Sequence, residues 1–235
     1  YTLQAANQCP APLFEHHHLI QEPVLAWLKE MLQPGQSVAL DGRVVTYRFF
    51  KTVEAELRDL NITLQALTHN PIDDIWADRP AALISPAILL SEAFSGESST
   101  SKRSRVAESL KAAGADAAII SQLDSIAWLL NLRGNDVPHL PVLLSQSILL
   151  SDGTQHLFID PAKIPDGFAE HVGKSVFVHD AADFSGFLER YGAQQPKVLL
   201  DPDGTNALTA LTCLASDCRL IEQKDPVGLP KAQKN

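Results

Sequence analysis

The sequence predicts a layered α/β fold built as two successive units. Short apolar runs alternate with segments whose apolar residues recur at helical spacing, the pattern of sheets covered by helices. Residues 70–101 carry three prolines and then a cluster of Gly, Ser and Thr, a composition typical of an inter-domain connection. A chain of 235 residues, 45% hydrophobic and 20% charged, is long enough for one large domain or two smaller ones. We place the boundary between them near residue 97.

The first unit is predicted to contain two helices and two strands. The stretches SVALD and ITLQAL have the short apolar character of strands. Apolar residues three or four positions apart predict the helices, the first through Val24, Trp27, Leu28 and Met31, the second through Phe49, Phe50, Val53 and Leu57.

The second unit is predicted to begin with a helix over KRSRVAESLKAAGAD. Thr100 or Ser101 is the expected N-cap, and Gly114 is placed where a left-handed residue ends a helix. Two later β-runs meet across Asp152-Gly153, a dipeptide that favours a two-residue hairpin turn. The remaining predicted elements alternate: strand DAAIIS, helix LDSIAWLLNL, strand SVFVHD, helix DFSGFLERYG, strand KVLLD, helix NALTALTCLA and strand CRLIEQ.

The helix LDSIAWLLNL passes abruptly into a charged, proline-flanked loop. Ser121, with Asp124 three residues later, predicts a capping arrangement at its start. Gly134 is predicted to close it, and Pro138 prevents its continuation. Such a turn either simply terminates the helix or faces a ligand or another domain.

Composition excludes several classes of function. The formal net charge of −9 argues against a nucleic-acid partner, which would require clustered Lys and Arg. No apolar run approaches the ~20 residues that span a bilayer, and the first residues lack the features of a signal peptide. The chain does not begin with Met, so we expect it to be part of a longer protein. Three cysteines without C-x-x-C spacing, Cys9, Cys213 and Cys218, are expected to be buried thiols in a reducing cytosol.

The common nucleotide-binding, zinc-peptidase and serine-hydrolase motifs are absent from the sequence. The best metal candidate is EHHHLI, where only His16 and His18 could share an ion, since adjacent strand residues point to opposite faces. The competing interpretation is a solvated strand or loop. We predict no metal site and no catalytic residue in this chain.

Two further polar clusters have alternative interpretations. In DDIWADR, Asp73, Asp74 and Asp78 precede Arg79; paired carboxylates suit acid–base chemistry, but acids at this place more commonly stabilise a helix N-terminus. His139 lies close to Asp136, so it is a candidate proton carrier or substrate contact, or a loop histidine that is hydrogen-bonded locally.

The stretch LDSIAWLLNLRGNDVPHLPV closely resembles the hallmark of the three-domain Xaa-Pro aminopeptidases (aminopeptidase P). The matching residues are Leu123, Asp124, Ile126, Ala127, Trp128, Leu129, Asn131, Leu132, Arg133, Gly134, Asp136, Val137, Pro141 and Val142. Four other stretches are similar to family elements in the expected order: YTLQAANQ, NPIDDIWADRP (with Pro71 in place of the usual Leu), GESSTSKRSRV and DPVGLPKAQKN.

The resemblance implies two creatinase N-terminal-like three-layer domains, with mixed β-sheets flanked by helices and the first domain incomplete. It places the rest of domain one and a linker at residues 1–96, domain two at 97–225, and at 226–235 the start of a connection to a catalytic domain. That domain, absent from this chain, would hold two metal ions, usually Mn²⁺, while the present segment would bind no cofactor. The implied substrate is a peptide with proline at its second position.

The resemblance further implies that this region shapes the substrate cleft and supports a homodimer. Arg133, Asp136 and His139 are the substrate-cleft candidates. Arg133 and Asp136 could instead pair with each other and only fix the turn. The alternative function is a protein-interaction module without enzymatic activity, since aminopeptidase-like domains also occur in histone chaperones; metal ligands downstream would distinguish the two.

Overall fold

The computed structural model describes residues 1–81 and 84–233. The chain divides into two compact units, one formed by residues 1–40 and 51–65, the other by residues 41–50 and 66–235. The sequence-based boundaries near residues 97 and 226 stay predictions, and residues 82–83 of the expected connection lie outside the described residues.

The first unit is small, and its two-stranded sheet pairs β1 with β2. The elements in and around it are α1 (Thr2–Gln8), α2 (Val24–Met31), β1 (Ser37–Asp41), α3 (Tyr47–Arg58) and β2 (Thr63–Leu67); the last three also contribute residues to the second unit. Both helices and both strands expected here are confirmed. Their predicted apolar faces are only partly correct: α2 has no buried residue, and Phe49 is 45% exposed while Tyr47 is buried in its place.

The second unit is built on a mixed six-stranded sheet with the order β10-β9-β4-β6-β7-β8. Strand β4 runs parallel to β9 and antiparallel to β6, and parallel pairs also close the two ends, β10 with β9 and β7 with β8. The strands are β4 (Ala117–Ile120), β6 (Gln146–Leu150), β7 (Gln155–Phe158), β8 (Val176–His179), β9 (Lys197–Leu200) and β10 (Arg219–Glu222). The predicted strands of this unit are confirmed.

Helices cover both faces of this sheet. The longer helices of this unit are α6 (Ser99–Ala112), α7 (Leu123–Leu130), α9 (Phe184–Gly192) and α10 (Ala207–Ala215). Its short helices are α4 (Pro71–Ile75), α5 (Glu92–Ser95), α8 (Phe168–Val172) and α11 (Gly228–Ala232). Helices α6, α7 and α8 pack in one apolar cluster and α9 and α10 in another, and alternate residues of β4 contribute to each. Every residue of β4 is therefore buried, as in a central strand covered on both faces. The predicted three-layer α/β architecture is confirmed for this unit.

The helix ends correct several expectations. The N-cap of α6 is Ser98, whose side chain accepts from the Ser101 amide, so the prediction of Thr100 or Ser101 is wrong. Gly114 has the predicted positive φ, +68°. Helix α7 starts after Gln122 without a side-chain cap, so the predicted capping by Ser121 is wrong.

The hairpin between β6 and β7 is confirmed, but its loop is longer than predicted. Leu150 N donates to Thr154 O at 2.8 Å and Gly153 N donates to Leu150 O at 3.0 Å, which encloses three residues instead of two. Gly153 has φ +89°, and Asp152 accepts from the Thr154 amide. This is a type I turn followed by a left-handed glycine, the usual three-residue solution.

Residues 70–101 are more ordered than their composition indicates. They contain α4, α5 and a short strand, β3 (Ile88–Leu89), which pairs antiparallel with an unpredicted strand, β5 (Leu132–Arg133). No helix among residues 1–81 and 84–233 is long and apolar enough to cross a membrane.

Two histidines join β7 to β8 at one edge of the sheet. His156 Nδ1 and His179 Nε2 lie 2.9 Å apart, so one ring nitrogen donates to the other. Phe177 and Phe187 pack on the His156 ring at centroid distances of 5.5 and 4.6 Å. Burial, and then His179, lower the pKa of His156, against a smaller opposing effect of Asp152.

This pair is expected to make stability fall in mild acid. Because the pKa of His156 is lowered in the folded chain, the unfolded chain binds a proton first as the pH falls. The contribution of His156 to the free energy of unfolding is therefore complete above the ordinary histidine pKa of about 6.5 and is lost as the pH falls below that value. His156→Phe should flatten the decrease in unfolding free energy measured by urea denaturation across that range. An unchanged decrease in this variant would contradict the assignment.

Candidate functional site

Three stretches that carry the family resemblance meet around one cleft in the second unit. The cleft has a volume of about 640 Å³ and lies beside the half-buried ring of Trp128. Its walls are formed by helix α6 and the residues before it, by the end of α7 together with β5, and by α11. We call it the Trp128 cleft; the side chains important for its chemistry are Phe94, Glu97, Lys102, Arg105, Arg133 and Lys231.

Lys102 is the buried cation of the cleft, only 2% exposed. Its Nζ donates to Asn131 Oδ1 at 2.6 Å and to Trp128 O at 3.2 Å, and lies 4.4 Å from the centroid of the Trp128 ring. These contacts replace the water that a lysine normally keeps, and the ring face attracts the cation. They fix the indole and the ammonium relative to each other.

Asn131 connects the segments that surround the cleft. It ends α7 in the left-handed conformation, with φ 52° and ψ 42°, so the helix closes three residues before Gly134 and that prediction is wrong. Its side-chain amide donates to Glu97 O at 2.9 Å, and its carbonyl accepts from the Leu90 amide at 2.9 Å and from His171 Nε2 at 3.0 Å. Sequence reasoning missed this role, although the short polar side chain of Asn tolerates a left-handed helix end.

Gly134 serves close packing instead of helix termination. A Cβ at this position would lie 2.5 Å from Leu143 Cγ, 2.3 Å from Leu143 Cδ2 and 3.0 Å from Val142 O. Gly134→Ala is therefore expected to lower the free energy of unfolding by roughly 1–3 kcal/mol, the usual effect of overpacking.

Urea denaturation of this variant measures that loss, with Gly228→Ala as the matched control because no atom lies within 4 Å of a Cβ there. In a Leu143→Ala background, which lacks the clashing atoms, Gly134→Ala should cost less than it does in the unmodified chain. Equal stability of the two glycine variants would contradict this role of Gly134.

Arg133 lines the Trp128 cleft, and its substrate role stays a prediction. It is partly buried in β5, and its Nη1 donates to Leu132 O at 2.7 Å and to Ala127 O at 3.3 Å. Among the described residues, Arg133 forms no ion pair with Asp136. The alternative interpretation, that these two residues pair with each other and only fix the turn, is therefore wrong. The side chain is positioned by backbone carbonyls.

Asp136 and His139 are not among the described residues that line the Trp128 cleft. The Asp136 carboxylate is buried and pairs with Lys163 at 2.6 Å, and the same oxygen accepts from the Leu144 amide at 2.7 Å. His139 is exposed, in a left-handed conformation with φ 65°. The structure thus separates Arg133 from the other two candidates, whose substrate role stays a prediction.

The start of α7 is tied to α11 by polar contacts. Ser125 Oγ donates to Asp225 Oδ2 at 2.6 Å, and Lys231 Nζ donates to Asp124 Oδ2 at 2.5 Å and to Ser125 Oγ at 3.1 Å. Lys231 projects from α11 into the wall of the cleft. Lys234 and Asn235, which complete the last resembling stretch, lie outside the described residues.

The cleft is electropositive although the chain carries a net charge of −9. Of the described residues that line it, four are cationic and one, Glu97, is acidic. The Glu97 carboxylate is already engaged, since Oε2 accepts from Arg105 at 2.6 Å and Oε1 accepts from Ser101 at 2.8 Å. Burial lowers the pKa of Lys102; Glu97 opposes this, and Arg133 and Arg105 lower it further.

The described residues do not fit a metal. No group of three or more His, Cys, Asp or Glu side chains within residues 1–81 and 84–233 could hold an ion. His16 Nε2 donates to Cys9 O at 2.7 Å, and His18 Nδ1 instead accepts from the Ile20 and Gln21 amides at 3.3 Å.

The acids of DDIWADR have a structural role. Asp73 and Asp74 lie in the first turn of α4, whose N-cap is Asn70, and Asp73 pairs with Arg79 at 2.6 Å. This confirms the helix N-terminus interpretation.

The second unit is a three-layer α/β domain. Its described residues contain no group of side chains that could hold a metal ion. Residues 78–235 match the creatinase/prolidase N-terminal domain family, and the chain belongs to that family. The predicted family resemblance is thereby confirmed.

Two proteins similar to this chain are named as Xaa-Pro aminopeptidases. The chain is 33% identical over 215 residues to Xaa-Pro aminopeptidase ApepP of Drosophila melanogaster, covering 89% of this chain and 34% of that protein. It is 31% identical over 178 residues to a probable Xaa-Pro aminopeptidase P of Tuber melanosporum, covering 72% of this chain and 29% of that protein. The chain thus spans about a third of the length of the curated relatives it matches.

A solved structure is similar over the whole chain. The X-prolyl aminopeptidase of Caenorhabditis elegans, described as a cytosolic enzyme with a di-nuclear active site, matches with a TM-score of 0.88 and 25% sequence identity. The similarity covers 100% of this chain and 39% of that one.

Proposed function

We propose that this chain is the N-terminal, non-catalytic region of a metal-dependent Xaa-Pro aminopeptidase, which removes an N-terminal residue that precedes proline. The observation that carries the proposal is the similarity to the Caenorhabditis elegans X-prolyl aminopeptidase over the entire chain. The Drosophila relative, 33% identical over 89% of the chain, supports the same class.

In this proposal the hydrolytic chemistry lies outside the described residues. The lack of a metal-ligand group among them favours a role in shaping the substrate cleft. We assign the longer protein two metal ions, with Mn²⁺ as the expected pair, which would activate water for peptide hydrolysis. The Caenorhabditis elegans enzyme, whose active site is di-nuclear, supports the number of ions.

This region would contribute rigid side chains to a peptide-binding surface. Arg133 is the strongest candidate, because its partly buried guanidinium donates to the carbonyl of Leu132 in β5 and to that of Ala127 in α7. A positioned guanidinium can bind a carbonyl or carboxylate of a peptide by charge-assisted hydrogen bonds. The contacts of Ser125 with Asp225 and Lys231 would hold the start of α7 against α11 beside this surface.

Arg133→Gln in the longer enzyme is expected to lower kcat/KM for Arg-Pro-Pro by roughly tenfold or more, the value of one charge-assisted hydrogen bond. The midpoint of thermal unfolding should change little. Arg219→Gln, an exposed arginine on β10, is the matched control and should leave both quantities unchanged. Loss of thermal stability with an unchanged kcat/KM of the folded fraction would assign Arg133 a structural role only.

Substrate specificity tests the assigned reaction. The longer protein with Mn²⁺ should release arginine from Arg-Pro-Pro and not from Arg-Ala-Pro. Equal cleavage of both peptides would contradict an Xaa-Pro aminopeptidase. Failure to cleave either, by a correctly folded protein, would favour the protein-interaction module.

Homodimerisation and a cytoplasmic location belong to the same proposal. The location is supported by the Caenorhabditis elegans relative, which is described as cytosolic. Sedimentation of the longer protein should give twice the mass of one chain; a monomer would contradict the dimer while leaving the peptidase assignment intact.

A further inference from the structure

The Trp128 cleft combines unmatched positive charge with an aromatic wall. Lys102 and Arg133 contact only neutral partners among the described residues, namely carbonyl and amide oxygens and, for Lys102, the indole ring. Lys231 has its partner, Asp124, outside the cleft lining. The cleft therefore presents cations whose charge its own acid, already bonded to Arg105 and Ser101, does not neutralise.

The burial of Lys102 makes this arrangement costly without a ligand. Burial lowers the pKa of the Lys102 ammonium. Glu97 opposes this, and the nearby Arg133 and Arg105 guanidinium groups lower the pKa further. An anionic ligand in the cleft would oppose this repulsion and favour the charged form of Lys102. Arginine can bind a carboxylate or a phosphate with two parallel hydrogen bonds.

The shape of the cleft indicates the size and the character of the occupant. A volume of about 640 Å³ lies within the range of small-molecule sites, ~300–1,000 Å³. The Trp128 ring and the side chain of Phe94, which is 83% exposed, provide apolar surface next to the cations. Such a combination suits a small molecule with an anionic group on an apolar or aromatic body.

We propose that the Trp128 cleft binds a small organic anion, a carboxylate or a phosphate ester, through Arg133 and Arg105, with its apolar part against Trp128. This goes beyond the proposed peptidase function and does not depend on it. The described residues that line the cleft all belong to the second unit, so binding can be measured on the 235-residue chain.

The test uses the fluorescence of Trp128 in the 235-residue chain. Trp27→Phe and Trp76→Phe remove the other two tryptophans, which are 43% and 47% exposed and lie outside the cleft lining. The probes are phenyl phosphate and 3-phenylpropionate, with benzyl alcohol as the neutral control. At least one anionic probe should give a saturable change, and whichever binds identifies phosphate or carboxylate as the preferred group.

Substitutions in the cleft should weaken that binding selectively. Arg133→Gln is expected to raise the Kd by roughly tenfold or more, because a charge-assisted hydrogen bond is lost. Arg105→Gln should weaken it in the same direction, and Arg219→Gln, outside the cleft, should not change it. Thermal unfolding of each variant verifies the fold, and Arg133→Lys, which keeps the charge, serves if Arg133→Gln is unstable.

Three results would overturn the proposal: no saturable change with either anion, equal binding of benzyl alcohol, or an equal loss in Arg219→Gln and Arg133→Gln. Because binding is measured without turnover, a negative result leaves the peptidase proposal untouched. Conversely, a longer protein that does not cleave Arg-Pro-Pro would not remove an anion site shown by this titration.

Discussion

Replacing Arg103 with methionine is expected to lower the free energy of unfolding by at least about 3 kcal/mol. The guanidinium is only 2% exposed and donates to the carbonyls of Gly153, Val172 and Lys174 at 2.8, 2.9 and 3.0 Å. Methionine fills similar volume but leaves these carbonyls without donors, at a cost of roughly 1–3 kcal/mol for each buried unsatisfied group.

Arg105→Met is the matched control, on the same helix and two residues further on. Arg105 is exposed, and its pair with Glu97 is of the surface type, worth about 0–1 kcal/mol. Urea denaturation of both variants measures the difference. A loss below about 1 kcal/mol in Arg103→Met would mean that other donors or water replace the guanidinium.

The second large effect is expected at the buried pair of Asp136 and Lys163. Their side chains are 2% and 8% exposed, and the charged atoms lie 2.6 Å apart. Lys163→Met should destabilise the chain by about 3–5 kcal/mol, because it leaves the Asp136 carboxylate buried without its counter-ion.

A double-mutant cycle separates the pair from its surroundings. Asp136→Leu combined with Lys163→Met removes both charges, so the double variant should be more stable than Lys163→Met alone. Urea denaturation gives all four free energies. Additive losses in the double variant would contradict direct coupling of the two side chains, and the Leu144 amide, which donates to Asp136, would then be the main source of the loss.

The sheet and the longer helices could be predicted because their signals are local. The run DAAIIS indicated a strand without further information, and every residue of β4 proves to be apolar and buried. The helices that cover the sheet follow from apolar spacing in the same way. The exposed face of α2 shows the limit of this reasoning, since spacing predicts which residues share a face but not whether anything covers it.

The polar framework of the site could not be predicted by the same means. Lys102 and Arg103 belong to a charged stretch that indicates an exposed helix start, yet both are buried and bonded to partners 26–69 residues away. Lys163, the partner of Asp136, lies 27 residues further along the chain. Arg133 was identified only through the resemblance of its stretch to a known family, and the structure then separated it from Asp136 and His139.

The most direct test of the proposed function is hydrolysis of Arg-Pro-Pro in the presence of Mn²⁺, comparing this 235-residue chain with the longer protein that contains it. We expect the longer protein to release arginine and the chain alone, shown by circular dichroism to be folded, to be inactive. Activity of the chain alone would contradict our placement of the metal centre outside the described residues. Inactivity of both folded proteins would contradict the aminopeptidase assignment itself.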